Sequence, residues 1–199
     1  MTTRVKPPDH PHACGEEVLR ASPSSFLGGS PPEDLTMTVI DDLLKTAFSR
    51  RKASTDAIGA LGLLLEETRA KRPVGDDGGL RDLLGPELAA YRLSKVERST
   101  IIESLSHRLL KQRNINHTLI WALSKSADEC ILPVLTTVLN RALQSPQQQD
   151  AASEALNGLA LFWPDSKSAV ERAAQQGQGN VQEQAEDLLK RHSLYESSS

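Results

Sequence analysis

The chain has 199 residues and a formal net charge of −3, with 38% hydrophobic but only 4% aromatic side chains. That length suits one domain with tails and suffices to bury a core without cross-links, and the scarcity of rings makes the core aliphatic, as in helix packing rather than a β-sandwich. Two cysteines, Cys14 and Cys130, exclude a disulfide framework and zinc-finger spacing, and no apolar run reaches the roughly 18 residues a transmembrane helix needs.

Residues 1–35 read as a flexible Pro/Gly/Ser-rich tail; "ASPSSFLGGSPPEDL" cannot sustain a helix. The beginning lacks the apolar segment of a secretory signal, so a cytoplasmic, reducing setting is expected. Within it "DHPHACGEE" places His10, His12 and Cys14 two apart, ligand types for zinc or copper. Pro11 separates the histidines, and a structural site needs about four ligands held by outer hydrogen bonds. No metal and no cofactor are therefore expected.

From Thr36 the pattern becomes helical. "TMTVIDDLLKTAFSR" sets Val39, Leu43 and Ala47 on one stripe with Ile40 and Leu44 beside it, and "STDAIGALGLLLEETRAKR" continues with Ala57, Leu61, Leu64 and Leu65. Gly59 and Gly62 each cost about 1 kcal/mol against Ala in a helix interior, but they permit close approach of a second helix. Residues 73–79 form a loop, and a short helix near 80–91 is broken about Gly85-Pro86.

The second half repeats this design more cleanly. "SKVERSTIIESLSHRLLKQR" opens on a Ser94/Glu97 capping box and carries Ile101, Ile102, Leu105 and Leu109. "NINHTLIWALSKS" carries Ile115, Leu119, Ala122 and Leu123. "DECILPVLTTVLNRALQ" starts its regular helix near Pro133 and carries Leu135, Val138, Leu139 and Ala142. Ser145, Pro146 and Gln148 predict a second capping box. Pro164 stops that helix, Gly177 closes the next as a C-terminal glycine, and Asn180 with Glu183 opens the last. The helical domain is expected over 36–193, with a frayed end at 194–199.

These helices share a rhythm. Ile102, Leu105 and Leu109 recur 33 residues later as Leu135, Val138 and Ala142, and Val138 and Ala142 recur 32 later as Val170 and Ala174. Two helices per such period mark an α-solenoid, in which each pair buries its apolar stripe against the next. "WALSKSADECILPVLTTVLNRALQSPQQQDAASEAL" resembles a HEAT-like repeat in its Ala-Leu pair, the turn at Ala127-Asp128, Pro133 and the Ala-rich second helix; the resemblance covers 97–192. It implies an all-α fold, a right-handed solenoid of antiparallel helix pairs.

Solenoids expose long curved surfaces whose residues are left to vary, so the expected function is non-enzymatic binding of another protein. Small HEAT-like proteins include bacterial adaptors and toxin-immunity proteins. The candidate partner surface is Arg108, Lys111 and Arg113 with the facing Asn140 and Arg141, and a second candidate is Trp163 with Asp165. Exposed tryptophans often anchor interfaces.

The alternative is nucleic-acid binding. Residues 45–113 carry 14 basic against 9 acidic side chains, with clusters at Arg50, Arg51, Lys52 and at Arg69, Lys71, Arg72. A general-base role for His107 would need a carboxylate to orient it and a pocket; Glu103, four residues earlier, could share its helix face, but a surface or inter-helix polar role is the expectation. No phosphate-binding loop or nucleophile motif occurs, and neither a small-molecule substrate nor a membrane is implied.

Overall fold

The computed structural model describes residues 39–49, 53–67, 88 and 91–196. Among these the chain is all-helical, without a strand. Eight α-helices are described: α1 (Val39–Ala47), α2 (Ala53–Glu67), α3 (Lys95–Lys111), α4 (His117–Ser124), α5 (Leu132–Leu143), α6 (Gln149–Leu159), α7 (Lys167–Gln176) and α8 (Asn180–Glu196). Single 3-10 turns at Glu129–Ile131, Pro146–Gln148 and Ala160–Phe162 join some of them.

Side chains fix several helix starts. At α3, Glu97 N–H donates to Ser94 Oγ (3.2 Å) while Ser94 N–H donates to Glu97 Oε2 (2.8 Å), closing the expected capping box. At α4, Asn116 Oδ1 accepts from Thr118 N–H at 2.9 Å. Pro133 sits in the first turn of α5, where its missing N–H costs nothing.

Other expected termini differ. The box at Ser145 does not form: Pro146–Gln148 wind as a 3-10 turn, Ser145 Oγ donates to Gln147 Oε1 instead, and α6 begins at Gln149. Gly177 follows α7 with an ordinary φ of −67°. Gly179 takes the left-handed conformation, φ +54°, that glycine tolerates. Asn180 is already inside α8, and that helix runs to Glu196, past the expected boundary at residue 193.

The helices lie in two layers. In one, α1 packs on α3, α3 on α5 and α5 on α7; in the other, α2 packs on α4, α4 on α6 and α6 on α8. Helices adjacent in sequence pack across the layers, α5 on α6 and α7 on α8 most extensively. The core lies between. Ile102 and Leu135 are buried, as are Leu105, Val138 and Val170, and Leu109 and Ala142, while Ala174 is half-buried. Fully burying one such Leu or Ile is worth about 1.5–3 kcal/mol.

The second layer is tight because two glycines admit their neighbours. A Cβ on Gly62 of α2 would stand 2.9 Å from the Ala122 Cα of α4, and one on Gly158 of α6 would collide with Ser124 Oγ of α4. At Gly59, also expected to permit close approach, a Cβ would meet nothing within 4 Å among the described residues.

In α1 the buried stripe is Ile40, Leu44 and Ala47. Val39 is 45% exposed and Leu43 half-buried; Leu43 lines a groove of about 510 Å³ with Ala57, Leu63 and Leu88 on its walls, and Val39 lines a second of about 330 Å³ with Leu43 and Tyr91. No helix among the described residues is long and apolar enough to cross a membrane.

Candidate interaction surface

Polar side chains tie each helix pair to the next. Arg98 in the first turn of α3 donates from Nη1 to Asp128 Oδ2 (2.9 Å) and from Nη2 to the Ser126 carbonyl (2.8 Å). Asp128 also accepts from Cys130 N–H at 3.2 Å, capping the 3-10 turn. Burial pushes the Asp128 carboxyl up. Hydrogen bonds from the Cys130 thiol and N–H and from Arg98, with the guanidinium charge, outweigh this and hold it below the ordinary carboxylate range.

At the other edge, Arg141 of α5 donates from Nη1 to the Leu110 carbonyl at 2.9 Å and from Nη2 to the Gln112 carbonyl, satisfying acceptors that α3 leaves at its C-terminus. Gln148 Nε2 reaches the Arg113 carbonyl (3.3 Å), and Arg172 of α7 donates to Asn140 Oδ1 (2.8 Å). In the second layer, Lys125 pairs with Glu66 at 3.0 Å, its ammonium 5.2 Å from the Trp121 ring.

The expected partner surface therefore divides. Asn140 and Arg141 are half-buried and hold neighbouring helices. Arg108 is exposed, with its guanidinium 5.6 Å from the Phe48 ring. Lys111 and Arg113 are exposed, and neither side chain has an ion pair or hydrogen bond among the described residues.

Trp163 is half-buried rather than at an open edge. It stacks on His192 of α8 with centroids 4.1 Å apart and planes 9° from parallel, and Lys167 approaches its ring at 5.8 Å. Asp165 next to it is exposed. His107, Glu103 and His117 are all exposed on helix surfaces, and Cys130 is half-buried. Arg50, Arg51, Lys52, Arg69, Lys71 and Arg72, and the His10, His12 and Cys14 cluster, lie outside the described residues. Among the described residues no three His, Cys, Asp or Glu are grouped to hold a metal ion.

The turns within successive pairs, α3–α4, α5–α6 and α7–α8, fall along one edge. Arg141 and Gln148 bond directly across the first two, and Arg172 binds α5 to α7 near the third. That edge has a distinct composition. Of the 15 Asn and Gln residues in the chain, 13 lie within 111–118, 140–149 and 172–182; the two outside, Asn157 and Gln184, bond to each other. The same three segments contain no Asp or Glu and hold Lys111, Arg113, Arg141 and Arg172. This clustering is visible in the sequence as a bias at three separate places, but it becomes a surface only when the helices pack. The Arg98–Asp128 and Lys125–Glu66 pairs join distant parts of the chain, and no local spacing announces them.

Compared with family models, curated proteins and solved structures, the chain matches none.

Proposed function

We propose that this chain is a non-enzymatic protein-interaction module, a right-handed α-solenoid of HEAT-like helix pairs that binds another protein along its turn edge. Two features support the solenoid reading: helices alternate between two layers, and burial repeats at 32 to 33 residues. A small adaptor or toxin-immunity protein in the cytoplasm is the narrower form of this reading.

The observation that carries the binding role is the carboxamide-rich edge with Lys111 and Arg113 exposed on it. Turns favour Asn, Asp, Ser and Gly for their local bonds, and caps favour Asn; neither preference explains the glutamines. The turns along the opposite edge, within 124–131 and 160–166, contain no carboxamide and use Ser, Asp and backbone groups instead. A polar feature repeated on one edge and absent from the other points to an external partner.

The test is affinity capture with the full chain from cells of its native source, followed by light scattering of the purified complex. A single protein retained at fixed stoichiometry supports the reading. Capture of no protein, together with duplex DNA binding that weakens steeply with salt, replaces it with the nucleic-acid reading through residues 45–113.

A further inference from the structure

Neighbouring helices of one layer lie about 8–10 Å apart, so a ridge across three turns is roughly 16–20 Å long. That is the length of about five or six residues of extended chain, at about 3.3–3.6 Å each. The exposed groups along it include Asn114, Gln144, Gln147, Gln176 and Gln178, with Lys111 and Arg113 at one end. A carboxamide offers both a donor and an acceptor, the two functions a peptide group presents. Lysine and arginine offer donors alone, and segment 111–118 holds no carboxylate to neutralise them, whereas the exposed Asp150, Glu171 and Glu183 adjoin the other two segments.

We propose that the ridge binds an extended, acidic segment of the partner protein, its peptide groups bonded by the glutamine and asparagine side chains and its carboxylates paired with Lys111 and Arg113. This rests on the protein-binding reading above and specifies the chemistry of the partner.

Charge complementarity favours this occupant over a nucleic acid. Duplex DNA carries one charge per about 1.7 Å, roughly ten over the length of the ridge. The ridge holds four cationic side chains, of which Arg141 and Arg172 are already bonded to α3 and α5. Single strands are gripped by base stacking on aromatic rings, and the three segments contain no aromatic residue but His117. An acidic peptide of about six residues carries few enough charges for two exposed cations and several carboxamides to satisfy.

The experiment uses the full chain and three fluorescein-labelled probes read by anisotropy at low salt. They are a peptide alternating Asp and Ser, its Lys and Ser counterpart, both about ten residues long, and oligo-dT of matching length. The Asp/Ser peptide is expected to bind in preference to the other two. The double charge reversal Lys111→Glu with Arg113→Glu weakens it about tenfold or more, whereas Lys190→Glu with Arg191→Glu on α8 leaves it within about twofold.

A triple variant, Gln147→Ala, Gln176→Ala and Gln178→Ala, separates the ridge from simple charge attraction. Binding falls several-fold while its salt dependence stays as in the native chain. All these side chains are exposed, and unchanged melting curves confirm that each variant folds. Equal binding of the Asp/Ser and Lys/Ser peptides, tighter binding of oligo-dT, or indifference to the Lys111 and Arg113 reversal overturns the proposal. A captured natural partner that still binds the reversed variant overturns the ridge alone, leaving the protein-binding role standing. Failure to capture any protein overturns both.

Discussion

Arg98 and Asp128 stand thirty residues apart in the chain and 2.9 Å apart in space, and their pairing fastens the start of α3 to the turn before α5. The two side chains are 20% and 35% exposed, so solvent screens the charges only in part. Asp128 also caps the 3-10 turn at Cys130.

Asn caps as well as Asp. Asp128→Asn therefore removes mainly the ion pair, costing about 0.5–1 kcal/mol at neutral pH, and Asp128→Ala about 1–2 kcal/mol. The folded carboxyl titrates below its unfolded value, so its contribution is present above the ordinary carboxylate range and is lost as pH falls through the folded pKa. Urea melts of native protein and Asp128→Asn should differ at pH 7 and converge as pH falls through the folded carboxyl's pKa, below the ordinary Asp range. A gap that widens on acidification refutes this assignment.

Arg141 does for the C-terminus of α3 what Arg98 does for its start. Its planar fork meets two carbonyls, those of Leu110 and Gln112, which a single ammonium cannot span in the same way. Arg141→Met keeps much of the apolar stem and strands the carbonyls, at a cost of about 1–2 kcal/mol. Arg141→Lys recovers less than half of that loss. Full rescue by lysine in thermal melts would show that charge, not fork geometry, matters here.

Gly59 and Gly62 lie one turn apart in α2 and should respond in opposite directions to Ala. At Gly59 a new methyl meets nothing within 4 Å among the described residues, so the substitution stabilises by up to about 1 kcal/mol through helix propensity. At Gly62 the methyl meets the Ala122 backbone, and overpacking of about 1–3 kcal/mol outweighs the propensity gain. Denaturant midpoints of the two single variants check this; the same sign at both positions would contradict the α2–α4 packing described.

The helical composition was legible because each stripe announces itself: Ile101, Leu105 and Leu109 recur at helical spacing, and all are buried. The Ser94 box was legible for the same local reason. The Ser145 box was not, since a 3-10 turn uses the same residues, and spacing does not separate the two. In α1 the apolar positions Val39, Leu43 and Ala47 with Ile40 and Leu44 beside them were legible, but which of them are buried (Ile40, Leu44 and Ala47) depends on where α2 and α3 pack. At the candidate surface, sequence singled out Lys111 and Arg113 as exposed cations. It also grouped with them Asn140 and Arg141, whose side chains are taken up by contacts about thirty residues distant. Such contacts arise from stacking and leave no local mark.

A partner protein lying along the turn edge would protect its amides, which hydrogen exchange on the full chain with and without the captured partner measures. Exchange should slow together in the three segments 111–118, 140–149 and 172–182, with residues 186–196 unchanged. Protection confined to the groove side of α1 and α2, with the three turns exchanging as before, would contradict it.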